Sequence, residues 1–545
     1  MVTPESIAFD LRFPHAEWFD RRTRRTDPAA WSDRSAHGMV ATAHYLATAA
    51  GVGMLEAGGN AMDAAVAASF ALSVCEPANS GLGGMAMMVV HLAGSRRTFV
   101  LDGACPAPRA ATARAVSAAP ERYFGHAAVA VPTLVAVMRA ALERHGTLAA
   151  PVVLAPAIRL AREGVPSTHV QSHLAARAAT RLRAGAAGAL LLAPDGSALS
   201  PGSLLRQPKL ARTLERLAAD GLEDFHRGAI AGEIERDMQR HGGFVAREDL
   251  AAAADPPEKS ALIGRAGELI CATVGPPGGG LTLLEMLRIH AAFGDDAPPP
   301  DSPEWCALVA AIIRRAREDR RRYRFEIGPE SNAVPLNDDA HAAAAAEEIR
   351  RAFRGDGETT HVSVADRHGN VVALTQSLER IYGARVAHPE LGLVYNGYLK
   401  AFKIRNRSHP HYLRPGAVAR SNAAPTILFR GGRPWAALGS TGSERMASGI
   451  FEVALRLFAR SPFEAVHAPR LHCTPDGRVL LERRRFAPEA RKCLERHGFR
   501  LKSLASYSFH VGGLQLVAFD GGAWVGVADP RRDGAAAGPR GPVAG

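Results

Sequence analysis

Thr359-Thr360-His361-Val362-Ser363-Val364-Ala365-Asp366-Arg367-His368-Gly369-Asn370 is the stretch whose reading decides the fold. It follows an acidic, glycine-bearing run, Arg354-Gly355-Asp356-Gly357-Glu358. Thr360 to Ala365 and Val371 to Ser377 alternate, and Asp366 to Asn370 joins them. That pattern predicts a β-hairpin with a Gly-Asn turn. The threonine at the loop-to-strand boundary has a second reading. If the chain cuts itself between Glu358 and Thr359, the new N-terminus carries both a nucleophilic hydroxyl and its own base, the freed α-amine. That amine ordinarily titrates at roughly 8, so a useful fraction is neutral near physiological pH. The plainer reading of Thr-Thr-His in a strand is β-branched packing.

Further along, the return strand carries Thr375 and Ser377, which share a face at spacing two and offer a second hydroxyl to orient Thr359. Gly439-Ser440-Thr441-Gly442-Ser443 is a glycine-bearing turn whose amides could form an oxyanion hole, or simply an ordinary loop.

Upstream, residues 1–37 read as a polar surface arm. An apolar small-residue helix is expected from Ala43 to Leu55, ended by Gly58-Gly59-Asn60, with a second from Asp63 to Val74. Met85 to Leu92 and Thr98 to Leu101 read as paired strands, and residues 130–250 as mainly helical with Pro and Gly breaks. Helical runs near Glu304–Arg322 and Asp339–Phe353 precede the hairpin. Further strands are predicted at Pro425–Phe429, Trp435–Leu438, Leu514–Phe519 and Trp524–Val527, with a helix at Met446–Ala459. The Gly/Ala-rich tail, Asp533 to Gly545, reads as loose. Helices packed on antiparallel sheet make this an α+β protein.

The 545 residues are 47% hydrophobic and 22% charged, ordinary for a globular protein with a large core. No run of roughly 18 apolar residues suggests a membrane span. Met1 to Arg25 is studded with charge and does not read as a secretory signal, which favours the cytoplasm. The six cysteines are scattered, with no CxxC pair. Buried structural thiols are preferred over a disulfide framework, a zinc site or a lone catalytic cysteine. No metal or cofactor is called for. The net charge of +12 is mostly arginine, as in Ile312 to Tyr323. It reads as a solvated helix face rather than a surface for an acidic partner, and no pattern supports nucleic-acid binding.

Taken together, several blocks in one order resemble the γ-glutamyltransferase (γ-glutamyltranspeptidase) family of N-terminal-nucleophile hydrolases, from about Met39 to Gly534. Gly58-Gly59-Asn60-Ala61-Met62-Asp63-Ala64-Ala65 is similar to the family's GGNAxDAA block. Glu76-Pro77 with Ser80 to Gly84 resembles its EPxxSGIGG block, and Pro156-Ala157-Ile158 with Ala161 to Gly164 its PAIxLAxEG block. Gly242-Gly243 with Glu248-Asp249-Leu250 resembles another. Thr359-Thr360-His361 with Asp366 and Gly369-Asn370 resembles the small-subunit start, and Asp529-Pro530-Arg531 the C-terminal DPR. The resemblance implies a four-layer αββα sandwich and a self-cut after Glu358. A large-subunit-like region, 38–358, and a small-subunit-like region, 359–545, would then stay associated. It implies Thr359 as nucleophile, Ser377 as the hydroxyl that steadies it, and Gly442 and Ser443 as the oxyanion-hole pair. Ser421 falls on the first serine of the family's Ser-Ser pair. The substrate is implied to be a small-molecule amide.

The glutamyl-gripping residues depart from the family pattern. Ala104 stands where the family has the arginine that pairs with the substrate α-carboxylate. Glu379 replaces an asparagine, Asn422 replaces the second serine, and Lys400 replaces the aspartate that binds the substrate amino group. Losing the guanidinium removes a bidentate carboxylate clamp. Swapping carboxylate for ammonium turns attraction of an amine into repulsion. Ordinary γ-glutamyl peptides are therefore expected to be poor substrates. Lys400 and Glu379 either grip a different substrate or face solvent. Tyr395 and Tyr398 either form an aromatic wall or pack as strand residues.

Overall fold

A computed structural model describes Thr3 and residues 25–120, 123–322, 334–349 and 360–541. Two seven-stranded sheets dominate it, and their strands are numbered β1–β14 here in chain order. The first sheet runs β14 (Ala535–Ala537), β2 (Gly38–Thr42), β8 (Thr360–Asp366), β9 (Val371–Ser377), β3 (Met85–Leu92), β4 (Arg97–Asp102), β5 (Glu258–Ser260). The second runs β1 (Ser32–Ser35), β13 (Trp524–Ala528), β12 (Leu514–Phe519), β11 (Arg433–Ser440), β10 (Thr426–Arg430), β7 (Leu269–Thr273), β6 (Leu262–Ala266). Every pairing within both sheets is antiparallel. Residues before 359 and residues after it contribute strands to each sheet.

The predicted hairpin is present as β8 and β9, with Thr360 opposite Gln376 and Ala365 opposite Val371. All of its strand residues are buried, because it lies mid-sheet with a layer on either face. Val362, Val364, Val372 and Leu374 face one way and enter the core built with helices α1 (Tyr45–Glu56), α2 (Ala61–Cys75), α3 (Leu134–His145) and α4 (Ala150–Glu163). Ala365, Val371 and Ala373 face the other way. They meet Met39, Met87, Ile427, Ala437 and Val517 in the core between the sheets. A third core joins the far face of the second sheet (Leu428, Leu438, Leu516) to helices α5 (Gly280–Ala291), α6 (Pro303–Arg322) and α7 (Met446–Arg456). Helices, sheet, sheet, helices: this is the four-layer αββα sandwich, and the hairpin sits in its interior.

Local chemistry explains two of the sequence blocks. Asn60 caps α2, accepting from the Met62 amide at 2.8 Å, while Asp63 reaches back to the Asn60 amide at 2.8 Å. This reciprocal box satisfies otherwise orphaned helix donors. Asp63 also accepts from the Thr147 hydroxyl at 2.6 Å and so ties α2 to the segment after α3. The Asp366 carboxylate accepts from the His368 amide (2.8 Å), the Asn370 amide (3.0 Å) and the Asn370 side chain (2.7 Å) within the turn. It also accepts from the Ala61 amide at 3.0 Å, which joins the hairpin to the start of α2.

The arginines from Ile312 onward are no solvated face: Arg315, Arg317 and Arg320 are buried, with Arg317 paired to Glu444 and Arg320 donating to the Ser421 carbonyl. Inside the region read as a surface arm, Pro28–Trp31 is a short helix and Ser32–Ser35 is the edge strand β1, paired with β13. Gly38–Thr42 is a strand, and the helix begins only at Tyr45. The tail is ordered as far as it is described: Ala535–Ala537 pairs with β2 and is buried. Alanine and glycine serve close approach there, since a side chain at Gly534 would collide with the Thr42 carbonyl. Among the described residues, no helix is long and apolar enough to cross a membrane.

Candidate active site

Thr359 and Glu358 lie outside the described residues, and Thr360 is the first described residue after them. Thr360 opens β8, and its hydroxyl donates to Glu76 Oε2 at 3.0 Å. Glu76 is fully buried and also accepts from the Asn79 side chain at 3.1 Å. Burial pushes its carboxyl up to about 7, against the opposing pull of Arg532. Across the hairpin, Gln376 accepts from the Ser69 hydroxyl at 2.5 Å and donates to Ser80 Oγ. The strand start is therefore locked to α2 and to the glycine-rich turn that follows it.

His361 points between the sheets. Its Nδ1 lies 2.9 Å from Thr375 Oγ1 and its Nε2 lies 3.0 Å from Ser363 Oγ. Burial lowers its pKa to about 3, so it stays neutral. A Cβ on Gly439 of β11 would collide with this imidazole, so β8 and β11 face each other at close range. Thr375 is thereby engaged with His361. Of the two hydroxyls read on this strand, Ser377 is the one at the strand end.

Ser377 is buried, and its Oγ accepts from the Glu379 amide at 2.9 Å. Glu379 takes φ +79°, a left-handed conformation that is uncommon for a glutamate. Its carboxylate lies 3.4 Å from Lys400 Nζ and 3.4 Å from Arg380 Nε. Burial raises its pKa, while Lys400 and Arg380 pull the other way. Glu379 and Lys400, the two residues that the resemblance sets at substrate-gripping positions, are thus an ion pair with each other. Tyr398 is buried beside Ser377 and Ser421, and burial holds its phenol well above its ordinary range. Ser421 Oγ accepts from the Ala423 amide at 3.1 Å, and its carbonyl accepts from Arg320 Nη2 at 2.8 Å. Asn422 is half-buried, and its carbonyl packs against Gly279, where a Cβ would not fit. The other tyrosine of this run, Tyr395, is no wall. It is fully buried, and its hydroxyl donates to Asp237 at 3.0 Å.

Gly442 follows β11 with φ +111°, and a Cβ there would lie 3.1 Å from Gly512 Cα. Its amide meets no acceptor among the described residues. Ser443 opens a single 3-10 turn, Ser443–Arg445. Glu444 in that turn lies 2.5 Å from Arg317 and 3.7 Å from Arg420, the residue before Ser421. These pairs join the glycine turn to the 420–422 segment. Ser377, Glu379, Lys400 and Ser421 therefore form one cluster through Tyr398 and the ion pair, and Gly442 and Ser443 connect to it through Glu444. Ala104 sits in the apolar core between the sheets, in the same cluster as Tyr398 and Leu399. Glu76, Arg317, Arg320, Arg420 and Glu444 hold these segments in place, and nothing in the sequence marks them for it. Their partners are far away in the chain, so no spacing announces them. The two groupings of imidazole and carboxylate ligands among the described residues include no member of this cluster.

Residues 47–539 match the family described as Gamma-glutamyltranspeptidase. The chain is 29% identical over 544 residues to the glutathione hydrolase proenzyme of Bacillus subtilis (strain 168), covering 92% of this chain and 91% of that one. It is 31% identical over 528 residues to the acylase ACY 1 proenzyme of Pseudomonas sp. (strain V22), covering 91% and 92%. Among solved structures, cephalosporin acylase from Bacillus halodurans superposes with a TM-score of 0.86 at 28% identity, over 94% of this chain and 97% of that one. With a match over most of its length, an αββα sandwich and the expected blocks at its centre, this chain belongs to the gamma-glutamyltranspeptidase family.

Proposed function

We propose that this protein is a self-processing amidohydrolase or acyltransferase that uses Thr359 as an N-terminal nucleophile on an amide other than an ordinary γ-glutamyl one. In processing, Thr359 Oγ attacks the Glu358 carbonyl carbon. The peptide C–N bond breaks, the threonine α-amine is released, and Glu358 is left as an ester on Oγ. Water hydrolyses that ester to a Glu358 carboxylate and a free hydroxyl. The chains 1–358 and 359–545 stay together. In turnover the hydroxyl attacks the substrate amide carbon while the α-amine takes its proton. The Gly442 and Ser443 amides stabilise the oxyanion, and the leaving amine departs with the proton. The acyl group then passes to water or to another amine. Ser377 orients the nucleophile. Ser421, Asn422, Glu379 and Lys400 form the substrate-facing wall.

The observation that carries the substrate reading is the Glu379–Lys400 ion pair at 3.4 Å. A lysine stands where an amino group would have to bind, and its charge is already matched by a carboxylate. Ala104, meanwhile, offers no guanidinium for an α-carboxylate. The acylases among the relatives lend support to an acyl group of another kind.

The test has two parts. Purified wild-type protein runs as two bands on a denaturing gel, with intact masses matching 1–358 and 359–545, whereas Thr359→Ala runs as one. A single wild-type band would remove the self-processing reading and leave an unprocessed, non-catalytic family member. Processed enzyme is then offered a γ-glutamyl anilide and anilides of other acyl groups. Preferential release from the γ-glutamyl compound would overturn the substrate reading and leave a true γ-glutamyltransferase with a rearranged pocket.

A further inference from the structure

We propose that His126, Asp237 and His241 form a binding site for a first-row divalent metal ion, with zinc the natural probe. The fold assembles these residues from two places. His126 opens the 3-10 turn His126–Ala128, while Asp237 lies in the last turn of the helix Ala229–Arg240 and His241 caps it. Asp237 and His241 are four apart and so share a helix face.

One ligand atom from each residue lies within 4.8 Å of the others. His126 Nε2 is 3.2 Å from Asp237 Oδ2, and His241 Nδ1 is 3.1 Å from Asp237 Oδ1. The two imidazoles stack with centroids 4.5 Å apart and planes at 17°, so a shared ion requires the exposed His241 ring to turn out of the stack. Metal–nitrogen and metal–oxygen bonds of about 2.0–2.2 Å set neighbouring ligand atoms roughly 3.3 Å apart, and each imidazole lies about that far from one of the two Asp237 oxygens. Two imidazoles and a carboxylate are a borderline donor set that suits zinc and its neighbours rather than calcium or magnesium.

Asp237 is 4% exposed, and its Oδ1 makes no hydrogen bond among the described residues. The Tyr395 hydroxyl donates to Oδ2 at 3.0 Å and fixes the carboxylate, the outer support that metal-binding carboxylates ordinarily have. His241 is exposed, so its ring is able to swing. Its Nδ1 lies 3.0 Å from the Asp237 carbonyl, a contact that coordination through Nδ1 replaces.

The site has a structural consequence for its neighbours. Tyr395 precedes Asn396, whose side chain binds the Gly83 and Ala130 carbonyls at 2.8 and 2.9 Å, and the same run continues to Tyr398 and Lys400. A bound ion would stiffen this segment from behind.

The test uses the full chain, stripped with a chelator and titrated with zinc chloride in a calorimeter, with metal content measured by atomic emission. One zinc per chain is expected. Tyr395→Phe weakens binding by roughly 10–100-fold, as loss of an outer-shell partner does. His241→Ala weakens it at least as much; this residue is exposed, so its variant keeps the fold. Cobalt substitution gives visible bands of an imidazole-bound ion in wild type that His241→Ala loses. No saturable zinc binding by wild type overturns the proposal. Unchanged affinity and cobalt spectrum in His241→Ala overturn it equally, because the ion would then sit elsewhere.

Discussion

Replacing Glu76 by glutamine tests how the strand start beside Thr359 is held. The Glu76 carboxyl is fully buried, receives the Thr360 hydroxyl at 3.0 Å, and is pushed from 4.5 to about 7 by burial. Its folded pKa is raised, so the native state holds this proton more tightly than the unfolded chain does. The stabilisation is complete below about pH 4.5 and is lost as pH rises through about 7. A rise of about 2.5 units, at about 1.36 kcal/mol per unit, amounts to ~3 kcal/mol. Glutamine keeps the shape and cannot titrate. The stability of Glu76 protein relative to Glu76→Gln should therefore fall by ~3 kcal/mol on going from about pH 4.5 to about pH 8. Denaturant unfolding in a Thr359→Ala background, where the chain stays in one piece, measures it. Glu452, a second buried carboxyl pushed to about 7, is present in both proteins and cancels. A difference that stays flat across this range refutes the reasoning. A difference that grows with pH would mean that Arg532 outweighs burial and that the carboxylate is ionised throughout.

Asp366→Ala strips an acceptor from four donors, including the Ala61 amide of α2, and should cost roughly 3–5 kcal/mol in denaturant unfolding; a loss below about 1 kcal/mol would mean the turn and α2 hold without it. Gly442→Val places a β-branched side chain at φ +111° against Gly512, and should lower kcat/KM by roughly 10²–10³ if this amide supports the oxyanion. Unchanged turnover would remove Gly442 from that role. Lys400→Asp combined with Glu379→Asn returns a carboxylate to the wall without opposing it to the one that now pairs with Lys400, and release from a γ-glutamyl anilide should rise by roughly tenfold or more, about 1.4 kcal/mol of discrimination; no rise in a processed, folded variant would argue that Lys400 does not face the substrate.

Much of the sandwich is legible in the sequence because its central parts carry strong local signals. The hairpin announces itself through alternation and a Gly-Asn turn, and α2 through an Asn–Asp capping box. The strands at the sheet edges do not. Ser32–Ser35 is short and polar, and Ala535–Ala537 is buried by fit against β2 rather than by hydrophobicity, so both read as irregular chain. The site divides the same way. Ser377, Glu379, Lys400 and Ser421 are legible only through the resemblance, and in the fold they lie near one another. Tyr398 reads only as a wall or as packing, yet it lies beside both serines. Arg420, Glu444 and Arg317 act through contacts made only when distant segments fold together. His126 and Asp237 likewise stand 111 residues apart, and no ligand spacing betrays them.

The alternation of early and late strands in both sheets bears on what becomes of the pieces. In the first sheet β8 lies between β2 and β9, and β9 against β3, so a late hairpin is wedged between early strands. In the second sheet β10 pairs with the early β7, and β13 with the early β1. If the chain is cut after Glu358, neither piece retains a complete sheet or a closed core. Parting them is unfolding, not dissociation of docked bodies. Mixed molecules should not arise when two differently tagged, processed preparations are incubated together. A working heterodimer is then obtainable by folding both segments together, whether as one precursor or by co-expression, and not by combining separately folded halves.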